Sequence, residues 1–295
     1  MRTRPGWRSW TSPLNYRHAF HAGNFADLVK HALLLAVLDR LTRGAEPLTV
    51  IDTHAGAGLY SLQDEAARRS GEAQAGVARL LADEGGAPAV LTPLIAAVRE
   101  CNPIGEVQVY PGSPWLAMRA LRRGDAYVGC EIRPDDHHEL TANLAPLRGG
   151  AKVELLQADG YAVAAQRLAQ GRGRTLLLID PPFERADDYA RVAELIAGRP
   201  DPARQPALIW TPLKDLETFD AFLDSLERAG PASLVVAQAR LRPLDDPMRM
   251  NGCAVVLVDA PDVEAEARAV CGWVAAQLGG PGGGVRVERL AGAAT

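Results

Sequence analysis

The spacing of apolar positions changes period several times along the chain. From Phe25 onward, Leu28, Val29, Leu33, Leu35, Val37, Leu38 and Leu41 recur at helical spacing, and Asn24 just before them suits an N-cap. Short continuous apolar runs follow at residues 48–52, 126–131, 153–159 and 176–180. Runs of this length, bounded by Gly and Pro, read as strands of a parallel sheet buried on both faces. Further on, the pattern predicts a helix near 189–197, a strand at 207–211 and a helix near 216–229. Strands at 233–240 and 254–259 and a helix at 263–278 complete it. Strands alternating with helices indicate an α/β fold. The rhythm breaks between residues 62 and 108, where 64–69, 74–83 and 90–100 read as short helices with no strand between them. The expected organisation is therefore an α/β domain formed by 14–61 and 109–295, with 62–108 inserted as a small helical unit. Residues 1–13 lack periodicity and read as a flexible extension. The glycine-rich stretch 279–284 also reads as flexible, ahead of a short segment at 285–290. Ser113 and Pro114 fit the N-cap and N1 positions of a helix running to Arg123.

Four of the predicted strands end in an acid: Asp52, Glu131, Asp159 and Asp180. The C-terminal edge of an open parallel sheet is where ligands bind, and a series of strand-end acids there describes a rim able to grip a nucleotide-like cofactor. After Asp52 comes Thr53-His54-Ala55-Gly56-Ala57-Gly58, a turn in which Gly56 and Gly58 permit close approach of a ligand to the backbone. The dinucleotide fingerprint needs Gly or Ala three residues after the second glycine, and Ser61 stands there, so a nicotinamide cofactor is disfavoured. A short Gly-x-Gly turn after an acidic strand end suits S-adenosylmethionine instead. After Asp180 the chain reads Pro181-Pro182-Phe183. Neither proline donates to a ladder and each disfavours helix in the residue before it, so the strand stops at Asp180. A carboxylate acceptor, a fixed Pro181 carbonyl and the flat ring of Phe183 together suit the exocyclic amino group of a planar base.

Composition narrows the setting. With 47% hydrophobic and 23% charged residues, the chain has the make-up of a globular domain, and no apolar run is long enough to span a bilayer. The arginines before Pro13 are not followed by the apolar core of a secretory signal. Cys101, Cys130, Cys253 and Cys271 are far apart, which fits neither a zinc site nor a disulfide framework and points to a reducing cytoplasm. His18 and His21 have no Cys or carboxylate at ligand spacing, so no metal is expected. The net charge of −4 argues against loose binding to nucleic acid, so an RNA substrate would need a local basic face. Arg119, Arg122 and Arg123 supply a basic edge.

Several segments together resemble the bacterial 23S ribosomal RNA adenine-N6-methyltransferases. They are 16–24 (Tyr-Arg-His-Ala-Phe-His-Ala-Gly-Asn), Lys30-His31, 52–58, 110–114 (Tyr-Pro-Gly-Ser-Pro), 158–160 (Ala-Asp-Gly) and 180–183. The resemblance implies a Rossmann-like class I S-adenosylmethionine-dependent methyltransferase fold with an inserted helical subdomain, acting as a cytoplasmic monomer on 23S ribosomal RNA. It implies that His31, His54, Ser113, Glu131, Asp159, Gly160 and Asp180 hold S-adenosylmethionine, with Gly56 in the turn beneath it. It makes Asp180 the catalytic acceptor and places Tyr16 near the RNA. Lys30 by itself would read as part of a solvated helix face; as half of the family's Lys-His pair it is grouped with Tyr16 on the RNA side. Phe183 departs from the family's usual Tyr. The Asp-Pro-Pro-Phe turn also occurs in DNA adenine and protein glutamine methyltransferases, so these remain alternatives, as does a non-catalytic RNA-binding module.

Overall fold

A computed structural model describes residues 20–147, 150–171, 173–185, 187–245 and 250–291. Ten helices are described: α1 (Phe25–Thr42), α2 (Glu65–Ser70), α3 (Arg79–Ala82), α4 (Thr92–Cys101), α5 (Ser113–Ala120), α6 (Pro134–Leu144), α7 (Gly160–Ala169), α8 (Asp188–Ala197), α9 (Leu216–Arg228) and α10 (Glu264–Leu278). The strands are β1 (Leu48–Asp52), β2 (Leu59–Ser61), β3 (Val109–Pro111), β4 (Ala126–Cys130), β5 (Lys152–Leu156), β6 (Arg174–Ile179), β7 (Ala207–Leu213), β8 (Ser233–Arg240), β9 (Gly252–Val258) and β10 (Gly284–Ala291).

Eight of these strands form one sheet in the order β10-β8-β9-β7-β6-β1-β4-β5. Pairing is parallel from β7 through β6, β1 and β4 to β5. β9 runs antiparallel between β7 and β8, and β10 pairs antiparallel with β8. The chain leaves β1 toward β4 on one side and returns through β6 on the other, so the strand order reverses at β1, where ligands bind in open α/β sheets. Continuous apolar runs are what a sheet covered on both faces requires. Along β6, Leu176 and Leu178 enter the core on the side of α1, α5 and α10, while Leu177 and Ile179 enter the core beneath α7, α8 and α9. α1 is buried nearly all round, because α4, α5 and α10 pack on it as well as the sheet. Asn24 caps it as expected, its Oδ1 accepting from the N–H groups of Ala26 (2.9 Å) and Asp27 (3.0 Å).

Several elements escaped the sequence pattern. α6 carries only Leu140 and Leu144 as buried apolar side chains, and α7 is rich in alanine, so neither shows a clear apolar stripe. β2 and β3 are three residues each, too short for a period, yet they pair and bracket residues 62–108. Within that stretch the expected second helix is a π-helical turn, Gln74–Ala78, running into α3. The turn sits directly on the loop before α1: the Val77 N–H donates to the Gly23 carbonyl (2.9 Å), and a Cβ on Gly76 would come within 2.2 Å of that oxygen. Gly112, not Ser113, is the N-cap of α5, which ends at Ala120. The glycine-rich stretch ahead of β10 is an ordered turn, the Gly280 N–H donating to Leu241 O (2.8 Å) and that of Gly283 to Gly280 O (3.0 Å).

Away from the strand ends, a buried ion pair ties the far edge of the sheet together. The Arg199 guanidinium, at the end of α8, donates to Asp259 Oδ2 (2.8 Å) and to the carbonyls of Ile196 (3.0 Å) and Gln205 (2.7 Å). Asp259 in turn accepts from the Ser233 N–H (3.0 Å), so α8 is pinned to both β8 and β9. Removing one partner of such a pair strands the other in a dry site. Arg199→Met is expected to cost about 3–5 kcal/mol of unfolding free energy, read as a lower urea midpoint; a midpoint within error of wild type would show the pair to be dispensable.

Candidate active site

At the C-terminal ends of β1, β4, β5 and β6 the four predicted acids take up different stations. Asp52 does not join the rim. It is fully buried, accepting from Ser113 Oγ (2.9 Å), the Tyr127 hydroxyl (3.0 Å) and the His54 N–H (3.3 Å). Burial pushes its carboxyl up to about 6, against the pull of those donors. It buttresses the turn from below and fixes Ser113 at the start of α5. Glu131 lies one residue past β4; its Oε2 accepts from the Gly56 N–H (3.0 Å) and its Oε1 from the Arg133 N–H (2.8 Å), and burial raises its pKa. That contact ties the glycine turn, where Gly56 has φ +61°, to the next strand. Asp159 stands three residues beyond β5 rather than at its end. Its Oδ1 caps α7 through the N–H groups of Tyr161 (3.0 Å) and Ala162 (3.4 Å), and its Oδ2 accepts from Arg191 (2.6 Å). Burial works to raise its pKa, but Arg191 and the two amides prevail and lower it. Gly160 follows, so close to the β1 turn that a Cβ there would lie 2.0 Å from Thr53 O.

Asp180 occupies the pivotal position. Its Oδ2 accepts from Lys30 Nζ at 2.6 Å, and the same ammonium reaches Asp27 Oδ1 at 2.9 Å. Lys30 is 3% exposed, so it does not lie on a solvated helix face. Burial alone would lower its pKa; the carboxylates of Asp180 and Asp27 overrule that and hold it well above the ordinary lysine value. The second turn of α1 thus meets the end of β6, and a charge is tolerated there because two opposite charges meet it. His31, next along α1, is buried, with Nδ1 2.8 Å from the Tyr110 hydroxyl and its ring stacked on that phenol.

Two cavities meet at this point. The first is lined by His31, His54, Gly56, Ser113, Glu131 and Pro181 among others. It continues past His54, Glu131 and Ile132 into a shallower cleft bounded by Ala158, Asp159 and Gly160. The second lies between the start of α1 and the end of β7, lined by His21, Asn24, Glu72, Pro212, Lys214 and Met250. Lys30, Asp180, Pro182 and Trp210 line both and form the wall between them. The structure therefore gathers every expected cofactor residue along one continuous cleft and sets Lys30 at the border of the second. Phe183 is the exception. It lines neither cavity; the backbone enters the left-handed region there (φ +50°), and the ring is 7% exposed, packed on Tyr189 at 4.5 Å. Tyr16 lies outside the described residues, as does His18. His21 pairs with Glu72 (2.7 Å), which also accepts from Asn24 Nδ2 (2.9 Å). Of the basic edge on α5, Arg122 is spent on Asp125, and Arg119 pairs with Glu100.

The family profile described as "Ribosomal RNA large subunit methyltransferase D, RlmJ" matches residues 45–291. The chain belongs to this family. It is 32% identical over 267 residues to the ribosomal RNA large subunit methyltransferase J of Escherichia coli K12, covering 90% of this chain and 94% of that protein. The protein of the same name from Haemophilus influenzae Rd is 30% identical over 250 residues, covering 84% and 88%. Among solved structures, a Legionella pneumophila protein superposes with a TM-score of 0.81 at 26% identity, covering 92% of this chain and 99% of that one. The sheet and the family together make this a Rossmann-like class I methyltransferase fold. No helix among the described residues is long and apolar enough to cross a membrane.

Reading the sequence alone misses Asp27, Trp210, Lys214, Glu72 and Arg191. Asp27 had a signal, standing three residues before Lys30 on one helix face. Trp210 near the C-terminal end of a predicted strand had another. Nothing local marks Glu72 or Arg191, whose partners are distant in sequence.

His54 carries a pH signature. Its Nδ1 is 2.8 Å from Thr53 Oγ1, and its ring meets Tyr161 edge-on at 5.0 Å. Burial lowers its pKa to about 4, against the carboxylates of Asp180 and Asp159. The unfolded chain then binds the extra proton between about pH 4 and 6.5, so this residue's contribution to stability rises with pH across that window. The His54 ring resonances are expected to stay flat from pH 8 to pH 5 in a histidine-labelled NMR titration; an inflection near 6.5 would contradict the burial argument.

Proposed function

We propose that this protein transfers the methyl group of S-adenosylmethionine to the N6 amino group of an adenine in 23S ribosomal RNA. The observation that carries the reading is the position of Asp180, in a wall shared by two cavities, one of which opens along the acceptors a nucleoside cofactor needs. The fit of the first cavity can be argued group by group. Glu131 sits where the cleft bends and offers a carboxylate to the ribose hydroxyls. Asp159 and the Gly160 amide lie at the far end and would hold the adenine. His54, neutral at working pH, would add no cation beside the cofactor's sulfonium, and the Asp180 carboxyl group lines the same cavity. When bound, the cofactor supplies an electrophilic methyl group on positively charged sulfur. That chemistry is proposed for this chain on its membership of a ribosomal RNA methyltransferase family and on the cleft just described.

The chain's own residues account for the rest. The adenine N6 lone pair is delocalised into the ring and is a weak nucleophile. Lys30 engages one oxygen of Asp180, which orients the carboxylate and leaves the other oxygen to accept a hydrogen bond from one N6–H. The Pro181 carbonyl, fixed between prolines, accepts a hydrogen bond from the other. Together they draw the nitrogen toward tetrahedral geometry and aim its lone pair across the wall. The surplus N6 proton leaves through the Asp180 carboxylate once the nitrogen–carbon bond has formed. Holding a pair of reactants in line is worth up to about 7–11 kcal/mol, and the polarising acceptor adds about 10²- to 10⁴-fold. An adenine inside a helix cannot reach this wall, so it enters the second cavity unstacked.

Asp180→Asn is expected to lower methyl transfer to 23S RNA from cells lacking the protein by about 10²-fold or more, while S-adenosylhomocysteine still binds. The assay is labelled-methyl incorporation followed by mass mapping of N6-methyladenosine. Wild-type rates in this variant would remove Asp180 from the chemistry, and label entering DNA or protein but not RNA would replace the substrate class.

A further inference from the structure

The second cavity has an aromatic wall, but its ring is not the one the Asp-Pro-Pro-Phe turn suggests. Phe183 faces the opposite side of the sheet rim. Its ring contacts Tyr189 at 4.5 Å, and Tyr189 contacts Phe222 at 5.1 Å, a line of rings running from the turn into the core beneath α8 and α9. Trp210 lies next to Phe183, with ring centroids 6.3 Å apart, but packs against the core on the α1 side and is only partly buried. It is the aromatic ring that borders both cavities. Trp210, Pro212 and Lys214 alternate along β7 and its continuation, so all three turn toward the start of α1. Pro212 extends the apolar surface beyond the indole. Lys214 stands exposed at the mouth and forms no ion pair with another described residue. The carboxylates facing the cavity are mostly occupied, Asp27 and Asp180 by Lys30 and Glu72 by His21 and Asn24; Glu184 completes the acidic set.

Resting on the function proposed above, we infer that the indole of Trp210, and not the phenyl ring of Phe183, is the platform on which the target adenine lies, with Lys214 taking that nucleotide's phosphate. The size and chemistry of the surface match one nucleotide: a flat apolar face, an acceptor at its inner end in Asp180, and a cation at its outer end. A base stacked on Trp210 presents its amino group to Asp180, which sits in the same wall. Phe183 then has a different task. It anchors the turn and packs behind the indole, a task the ring performs without a hydroxyl.

The first test uses the wild-type protein. RNA carrying 2-azidoadenosine at the methylated position is photolysed on the protein with S-adenosylhomocysteine present, and the tryptic peptides are mass-mapped. Trp210 lies in the peptide 205–214 and Phe183 in 175–185. The crosslink is expected on 205–214; a crosslink confined to 175–185, or on neither peptide, overturns the inference. The second test is kinetic. Trp210→Leu is expected to lower kcat/KM for RNA about ten- to a hundredfold, the range of single base-on-ring stacking effects, with Trp210→Phe within about threefold of wild type. S-adenosylhomocysteine affinity should change less than about threefold in both, and Lys214→Gln should raise KM for RNA with kcat retained. Wild-type kcat/KM in Trp210→Leu, or a loss wholly matched by weaker cofactor binding, overturns it. If the wild-type protein methylates no RNA, the underlying functional reading falls as well; if it does and Trp210→Leu is unimpaired, only the platform falls.

Discussion

The site depends on one buried ammonium. Lys30 joins Asp27 on its own helix to Asp180 at the end of β6, and the buried ammonium is held by both carboxylates at once. The bridge fixes the distance between the start of α1 and the Asp-Pro-Pro turn, and the second cavity is the space between those two elements. Its walls are set by the same contact that orients the Asp180 carboxylate. The geometry also explains why α1 can be buried nearly all round: its two interior charges, Asp27 and Lys30, pair with each other and with Asp180, and the rest of the helix is free to serve as core.

Around that bridge, the sheet distributes its strand-end acids by depth. Asp52 is withdrawn into the interior and holds Ser113 and Tyr127. Glu131 is half spent on backbone amides, and Asp159 is shared between a helix cap and Arg191. Each keeps part of its hydrogen-bonding capacity committed to the protein. That commitment is what makes the cleft preformed, since the acceptors are already oriented before anything enters.

Much of this was legible beforehand, for identifiable reasons. β6 could be read because a strand covered on both faces has no choice but Leu176 to Ile179, and its end could be read because Pro181 cannot continue a ladder. Asn24 was legible as a cap because capping is a local bargain between neighbours. Lys30 was not, because a lysine three residues from an aspartate looks the same on a surface helix; its burial is decided by a residue 150 positions away. The packing of Phe183 was hidden for a similar reason. The motif places an aromatic ring after the prolines, but the backbone is left-handed there, and the ring packs on Tyr189 and lines neither of the two cavities. α6 and α7 were obscured by alanine and charge, which dilute the apolar stripe without preventing the helix.

The row of rings from Phe183 through Tyr189 to Phe222 has a mechanical meaning. It is a strut between the tip of the active turn and α9, a helix on the opposite face of the sheet. The aim of the Asp180 carboxylate is thus referenced to a distant outer layer as well as to its immediate neighbours. Loosening of that outer layer would blur the turn's alignment even with every residue of the cleft intact.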